Sequence, residues 1–355
     1  MKTILRVISS AIMLAVAGIF VLVGKSAPEL FNKWYPAFSQ WLLGIVGKIS
    51  GLLPLPLWQL AAVLLTGWFV YTLVRALSKG RILRWLSGVL WGGSLLLCVF
   101  VVFWGAGHLL PTKTEQIFEL RPVTLQQLQE ATSYYAEKLD EFAPRVAREE
   151  DGGVQMEDFA LLTQKAAQSY TTVSSQYPVI PRAELTAKKL YVGDLFGYLG
   201  ITGVFVPVTA EATVSPHTYP ASLPFTICHE MGHRLGACAE EDANFLAFLA
   251  CVASEDVQFQ YSAWYSAFIY CYNALYAASP TEAEAVYRSL TPLAQQDVAR
   301  ANDHYEPYEG TAQELFNKVN DTYLKAAGQE AGVDSYGLVS DALIAWYEAN
   351  VKNNA

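Results

Sequence analysis

The sequence predicts a mainly α-helical chain with a small β-sheet, preceded by membrane-spanning helices. Long uncharged apolar runs are confined to residues 1–110, and apolar residues recur at near-helical spacing through most of the remainder. A single β-branched stretch, 201–214, supplies the exception.

With 355 residues and 53% apolar content, the chain is too long and too apolar for one ordinary soluble domain. Charge divides it where hydropathy does. Residues 1–110 carry nine Lys and Arg against the single acid Glu29, and residues 111–355 carry 15 against 32 acids. An acid excess of that size repels a phosphate backbone, so nucleic acid is excluded as a partner. The expected organisation is a membrane domain over 1–110 and one globular domain over 111–355.

Crossing a hydrocarbon core takes about 20 apolar residues, and three runs suffice: about 7–23, 55–74 and 85–110. Lys2 and Arg6 precede the first. Residues 21–25 offer no small-x-small cleavage site, so the run is read as an uncleaved anchor rather than a signal peptide. Arg75, Lys79, Arg81 and Arg84 crowd the second link, which places that link and the N-terminus in the cytoplasm. Three crossings from there put the globular domain on the outer face of the membrane. Lys25, Lys33 and Lys48, in the outward link, argue against this more weakly. Within that link, 38–53 reads as an interfacial stretch with Trp34, Tyr35 and Trp41 at headgroup depth. The uncharged run 257–279 contains Gln258, Gln260, Asn273 and repeated Tyr and Ser, which mark a buried helix instead of a fourth span.

In the globular domain, Thr124 and Gln127 form a capping box ahead of Leu125, Leu128, Tyr135 and Leu139. Further helices are expected near 156–170, 225–235, 240–254, 257–278, 281–290, 292–304, 311–326 and 335–350. Pro207 interrupts 201–214 and cannot donate to a ladder, so this strand belongs on an edge. Cys98 lies in an apolar run. Cys228, Cys238, Cys251 and Cys271 read as buried reduced thiols, with a Cys238–Cys251 or Cys228–Cys271 bridge left open.

The chemistry concentrates in His229-Glu230-Met231-Gly232-His233, an HExxH pattern. Residues four apart share one helix face, so both imidazoles can reach one zinc ion while Glu230 lies beside the metal-bound water. Gly236 is placed to end that helix. A catalytic zinc needs three protein ligands and one open position. Glu240, Glu241 and Asp242 open a second helix seven residues beyond His233 and are the candidates for the third. Gly236 also falls at the glycine of HExxHxxGxxH, but Ala239 occupies that pattern's third ligand position.

The segment Glu240-Glu241-Asp242-Ala243-Asn244 resembles the ExxAD of gluzincin peptidases. The resemblance implies Glu240 as third zinc ligand and Asn244 as the residue holding the other nitrogen of His229. Asn244 stands where that pattern has an aspartate, so it would accept the imidazole N–H without a charge. With three spans, the segment 203–212, the HEMGH helix and Ser335-Tyr336-Gly337, the chain also resembles a bacterial membrane family, domain of unknown function 3810. That implies a gluzincin-like zincin domain anchored in the cytoplasmic membrane of a bacterium.

The expected function is zinc-dependent hydrolysis of peptides or proteins, with Glu230 as general base. Val204, Phe205 and Val206 would pair with substrate backbone, and Glu211 lies beside them for a second-shell or substrate-amine role. Tyr336, Tyr323 and His304 are the candidate oxyanion donors. His108 and His217 read as an interfacial and a loop residue. The rival reading is an inactive membrane protein that binds zinc or captures peptides, for which Glu230 would be unnecessary. An intramembrane protease is disfavoured, because Glu240, Glu241, Asp242, Glu255 and Asp256 would be costly in hydrocarbon.

Overall fold

The computed structural model describes residues 2–326 and 336–352. The chain divides into two compact units, Met1–Leu110 with Val206–Glu211, and Pro111–Phe205 with Ala212–Ala355.

In the first unit, α1 (Lys2–Ser26), α3 (Leu57–Ser78) and α4 (Ile82–Phe103) are each long and apolar enough to cross a membrane. The third ends seven residues earlier than the sequence suggests, because Gly105–Leu109 tightens into a 3-10 turn. Helices α1 and α4 run parallel. Arg6 donates to the Arg84 carbonyl at one end (3.2 Å), and Gly24 lies against Leu109 at the other. Between them in sequence, α2 (Pro28–Ser50) buries Phe31, Tyr35, Ser39, Leu43 and Gly47, a four-residue repeat that makes one helix face. Tyr35 lies on that buried face. It is 1% exposed, stacked on Phe31 at 4.5 Å, and its hydroxyl donates to the Val101 carbonyl.

The second unit is mainly helical: α5 (Lys113–Ile117), α6 (Leu125–Phe142), α7 (Phe159–Gln176), α8 (Gly193–Gly197), α9 (Leu223–Arg234), α10 (Glu240–Val252), α11 (Val257–Ala278), α12 (Pro280–Ser289), α13 (Pro292–Tyr305), α14 (Thr311–Ala326) and α15 (Tyr336–Asn350). Caps fix several starts. Thr124 and Gln127 close the expected capping box on α6, and the Asp256 carboxylate accepts from Gln258 N and Phe259 N at the start of α11. Helix α11 lies inside this unit against α6, α9, α10, α12 and α15, and buries Phe259, Tyr261, Phe268, Cys271 and Leu275.

Residues 201–214 form a hairpin rather than one strand: β2 (Gly203–Val206) and β3 (Glu211–Val214) flank a turn at 207–210. Pro207 removes a donor and Ala210 takes a positive φ of 52°, which together reverse the chain. A third strand, β1 (Lys188–Lys189), pairs parallel to β3, giving the order β1-β3-β2 with β2 at the edge. Of the stretch expected as one edge strand, β2 lies at the edge and β3 is the central strand. All five cysteines are free, and the four outside the apolar spans are buried.

Candidate metal centre

Helix α9 carries the motif. Pro224 occupies its first turn, where a missing N–H costs nothing. Gly236 ends it as expected: at φ 93° it lets Ala237 N reach back to the Gly232 carbonyl (3.1 Å), a Schellman closure. That closure aims the Ala237 carbonyl at His233, and His233 Nδ1 lies 2.7 Å from it. His229 Nδ1 lies 2.8 Å from Asn244 Oδ1, which also accepts from the Tyr270 hydroxyl at 3.0 Å. Both Nδ1 atoms face carbonyl-type oxygens, which assigns each the proton. Each Nε2 is left with a lone pair.

Those two lone pairs converge. His229 Nε2 and His233 Nε2 are 3.1 Å apart, and the Glu240 carboxylate lies 3.4 Å from the first and 3.6 Å from the second. Ligand atoms held at about 2.0–2.1 Å around a tetrahedral ion are roughly 3.3 Å from one another. Among the described residues, His229, His233 and Glu240 are the His, Cys, Asp and Glu group close enough to share an ion.

The rival ligands are engaged elsewhere. Asp242 accepts from Thr114 N (2.9 Å), Thr114 Oγ1 (2.7 Å) and Lys113 N (3.0 Å), so it ties α10 to α5. Glu241 is not part of the group within reach of the imidazoles.

Glu230 sits in α9 beside the two imidazoles, 5% exposed, and its Oε2 has no hydrogen-bond partner. Burial pushes its carboxyl up to about 8, against the pull of His229 and with the repulsion of Glu240. Burial works against a charged His229, but Glu240 and Asn244 outweigh it and raise its pKa. Gly203, at the start of β2, closes over Glu230. A Cβ there would meet Glu230 Oε1 at 2.5 Å and Cγ at 2.6 Å, so any larger residue would force the Glu230 side chain to shift.

Val204, Phe205 and Val206 follow Gly203 on the edge strand. The Glu211 carboxylate caps the N-terminus of α3, accepting from Leu57 N and Trp58 N at 2.9 Å each. It is therefore occupied within the first unit. His304 donates to the His217 carbonyl at 2.7 Å, and neither is in the imidazole group. Tyr336 begins α15, but its side chain and that of Tyr323 lie outside the described residues. Sequence reasoning missed Tyr270, Gly203 and the Ala237 carbonyl. The last follows from Gly236, whose role as helix terminator was legible.

A family model described as "Protein of unknown function (DUF3810)" matches residues 32–344. No curated protein and no solved structure matches the chain.

Proposed function

For this chain, which belongs to the DUF3810 family, we propose a zinc metallopeptidase of gluzincin type, anchored in a bacterial cytoplasmic membrane with its site on the outer face. The observation that carries the reading is the pair of imidazole nitrogens 3.1 Å apart beside one carboxylate. Their lone pairs repel one another unless a cation or a proton lies between them. Two nitrogens and one carboxylate oxygen, all buried or half-buried, suit zinc.

Bound zinc would acidify a water molecule and polarise the peptide carbonyl. The rest of the chemistry belongs to the chain. Glu230 takes one proton from the attacking water and gives it to the departing amine nitrogen, so it ends as it began. Among the described residues, its buried Oε2 has no hydrogen-bond donor. Asn244 and the Ala237 carbonyl fix the two rings, so that Nε2 and not Nδ1 meets the ion. The edge strand β2, which starts at Gly203, offers backbone groups to an extended peptide. Glu230 distinguishes this reading from structural zinc, which has no use for a carboxylate that does not bind it.

The basic link between α3 and α4 and the basic N-terminus support the orientation. The parallel run of α1 and α4 agrees with it, since Arg6 and Arg84 share one end.

The test combines metal analysis with peptide-library hydrolysis by the full-length protein in detergent. The expected result is about one zinc per chain and turnover lowered at least ~100-fold in Glu230→Gln, with zinc retained. Equal turnover in that variant would remove Glu230 as the base, and bound zinc without turnover under any condition would overturn the peptidase reading.

A further inference from the structure

A cavity of about 490 Å³ opens in the second unit among α8, α9, α11, α13 and the segment leading into β2. Three of its lining residues each stand one step from the metal centre. Thr226 is one helical turn before Glu230, on the same face of α9. Thr202 precedes Gly203, which lies on Glu230. Tyr270 donates to Asn244, the residue that holds His229.

The lining also sets the chemistry. Phe225, Tyr265, Ile269, Tyr305 and Tyr308 give the cavity its bulk. The Tyr270 hydroxyl is spent on Asn244, and that of Tyr305 accepts from Tyr219 N, so ring surface remains for a guest. The ionisable side chains lining the cavity include Glu309 and His217 but no Lys or Arg among the described residues, so an acidic guest would meet a carboxylate and no Lys or Arg to offset the loss of its water. Gly197 keeps one wall thin: a Cβ there would stand 2.8 Å from the Tyr308 ring. A cavity of this volume lies within the range of pockets that enclose whole organic groups, and it exceeds what an alanine side chain could fill.

We propose that this cavity receives the substrate side chain next to the scissile bond and selects an aromatic or large aliphatic one. The proposal rests on the peptidase reading and adds its substrate class. A peptide paired along β2 runs past Gly203 towards Thr202, where the cavity begins, so backbone pairing and side-chain capture come from adjacent residues.

The experiment uses zinc-loaded full-length protein in detergent micelles. Its substrates are short peptides that differ only in Phe, Leu, Ala, Asp or Lys beside the cleaved bond, and mass spectrometry fixes the bond. Phe and Leu peptides should exceed the other three by about tenfold or more in kcat/KM. Ile269→Trp, which fills the cavity from a half-buried position, should bring that ratio near unity with zinc content unchanged. Ile269→Ala, which enlarges it, should instead raise cleavage of a Trp peptide. Equal rates across the series, a preference for Lys or Asp, or a Phe preference that survives Ile269→Trp would overturn the proposal. If no peptide is cleaved, the peptidase reading fails separately. The cavity is then judged by equilibrium dialysis of the Phe and Ala peptides against Glu230→Gln protein. Tighter binding of the Phe peptide that Ile269→Trp abolishes would sustain it, and equal binding would overturn it.

Discussion

His229, Glu230 and His233 were legible because their spacing is itself the geometry: a helix places residues four apart on one face whatever surrounds it. Asn244 was legible by resemblance, and its oxygen does lie at His229 Nδ1. Gly203 was not, because its role is the absence of a side chain where the Glu230 carboxylate needs room. Gly203→Ala should therefore displace Glu230 and lower peptide hydrolysis at least ~10-fold while zinc stays bound, which paired rate and metal measurements would check. Glu230 also gives the metal-free protein a pH signature. Its folded-state value of about 8 lies above the 4.5 of an ordinary glutamate. The folded chain thus holds a proton that the unfolded chain releases. The stability this confers is complete below about 4.5 and is lost as pH climbs through about 8, each pH step between those two values removing at most about 1.4 kcal/mol. Denaturant unfolding of metal-stripped protein between pH 5 and 8.5 should show a steeper decline for wild type than for Glu230→Gln; parallel curves would contradict it.

Element boundaries followed local signals where those signals were caps and breakers. The Thr124 box, Gly236 and the prolines at 280 and 292 each mark an observed helix end. Pairing partners were less legible. The stretch 201–214 carries one continuous β-branched pattern, and only the turn at Pro207 and Ala210 divides it into two strands. The two-residue strand β1 has no apolar alternation to announce it. Asp242 shows how an element is aimed. Its carboxylate takes three bonds from Lys113 and Thr114, and this fixes the first turn of α10, the turn that carries Glu240. Asp242→Ala leaves buried donors unmatched, so it should cost about 2 kcal/mol or more and weaken zinc binding. Thermal unfolding and metal competition assays would detect both, and an unchanged zinc affinity would show that α10 is held by other contacts.

At the scale of the molecule, hydropathy and charge change in the sequence near residue 110, and the structure has two compact units, of which the one holding Met1–Leu110 also includes the turn 206–211. That turn could not be assigned from sequence, because Glu211 reveals its partner only by capping α3. The proposed orientation predicts that protease added to intact spheroplasts or protoplasts will cleave beyond residue 111 and spare the link between α3 and α4. Cleavage only after lysis would reverse it. Helix α11 has a consequence for how such a chain is made. It is 22 residues without a charge, and it leaves the ribosome after three helices that are long and apolar enough to cross a membrane. Its neighbours α6, α9 and α10 are synthesised first, whereas α12 and α15 follow. A partly built groove thus awaits α11, and Gln258, Gln260, Ser262 and Ser266 lower its affinity for lipid. In the proposed topology, the order of synthesis itself helps keep this helix from being threaded as a further crossing.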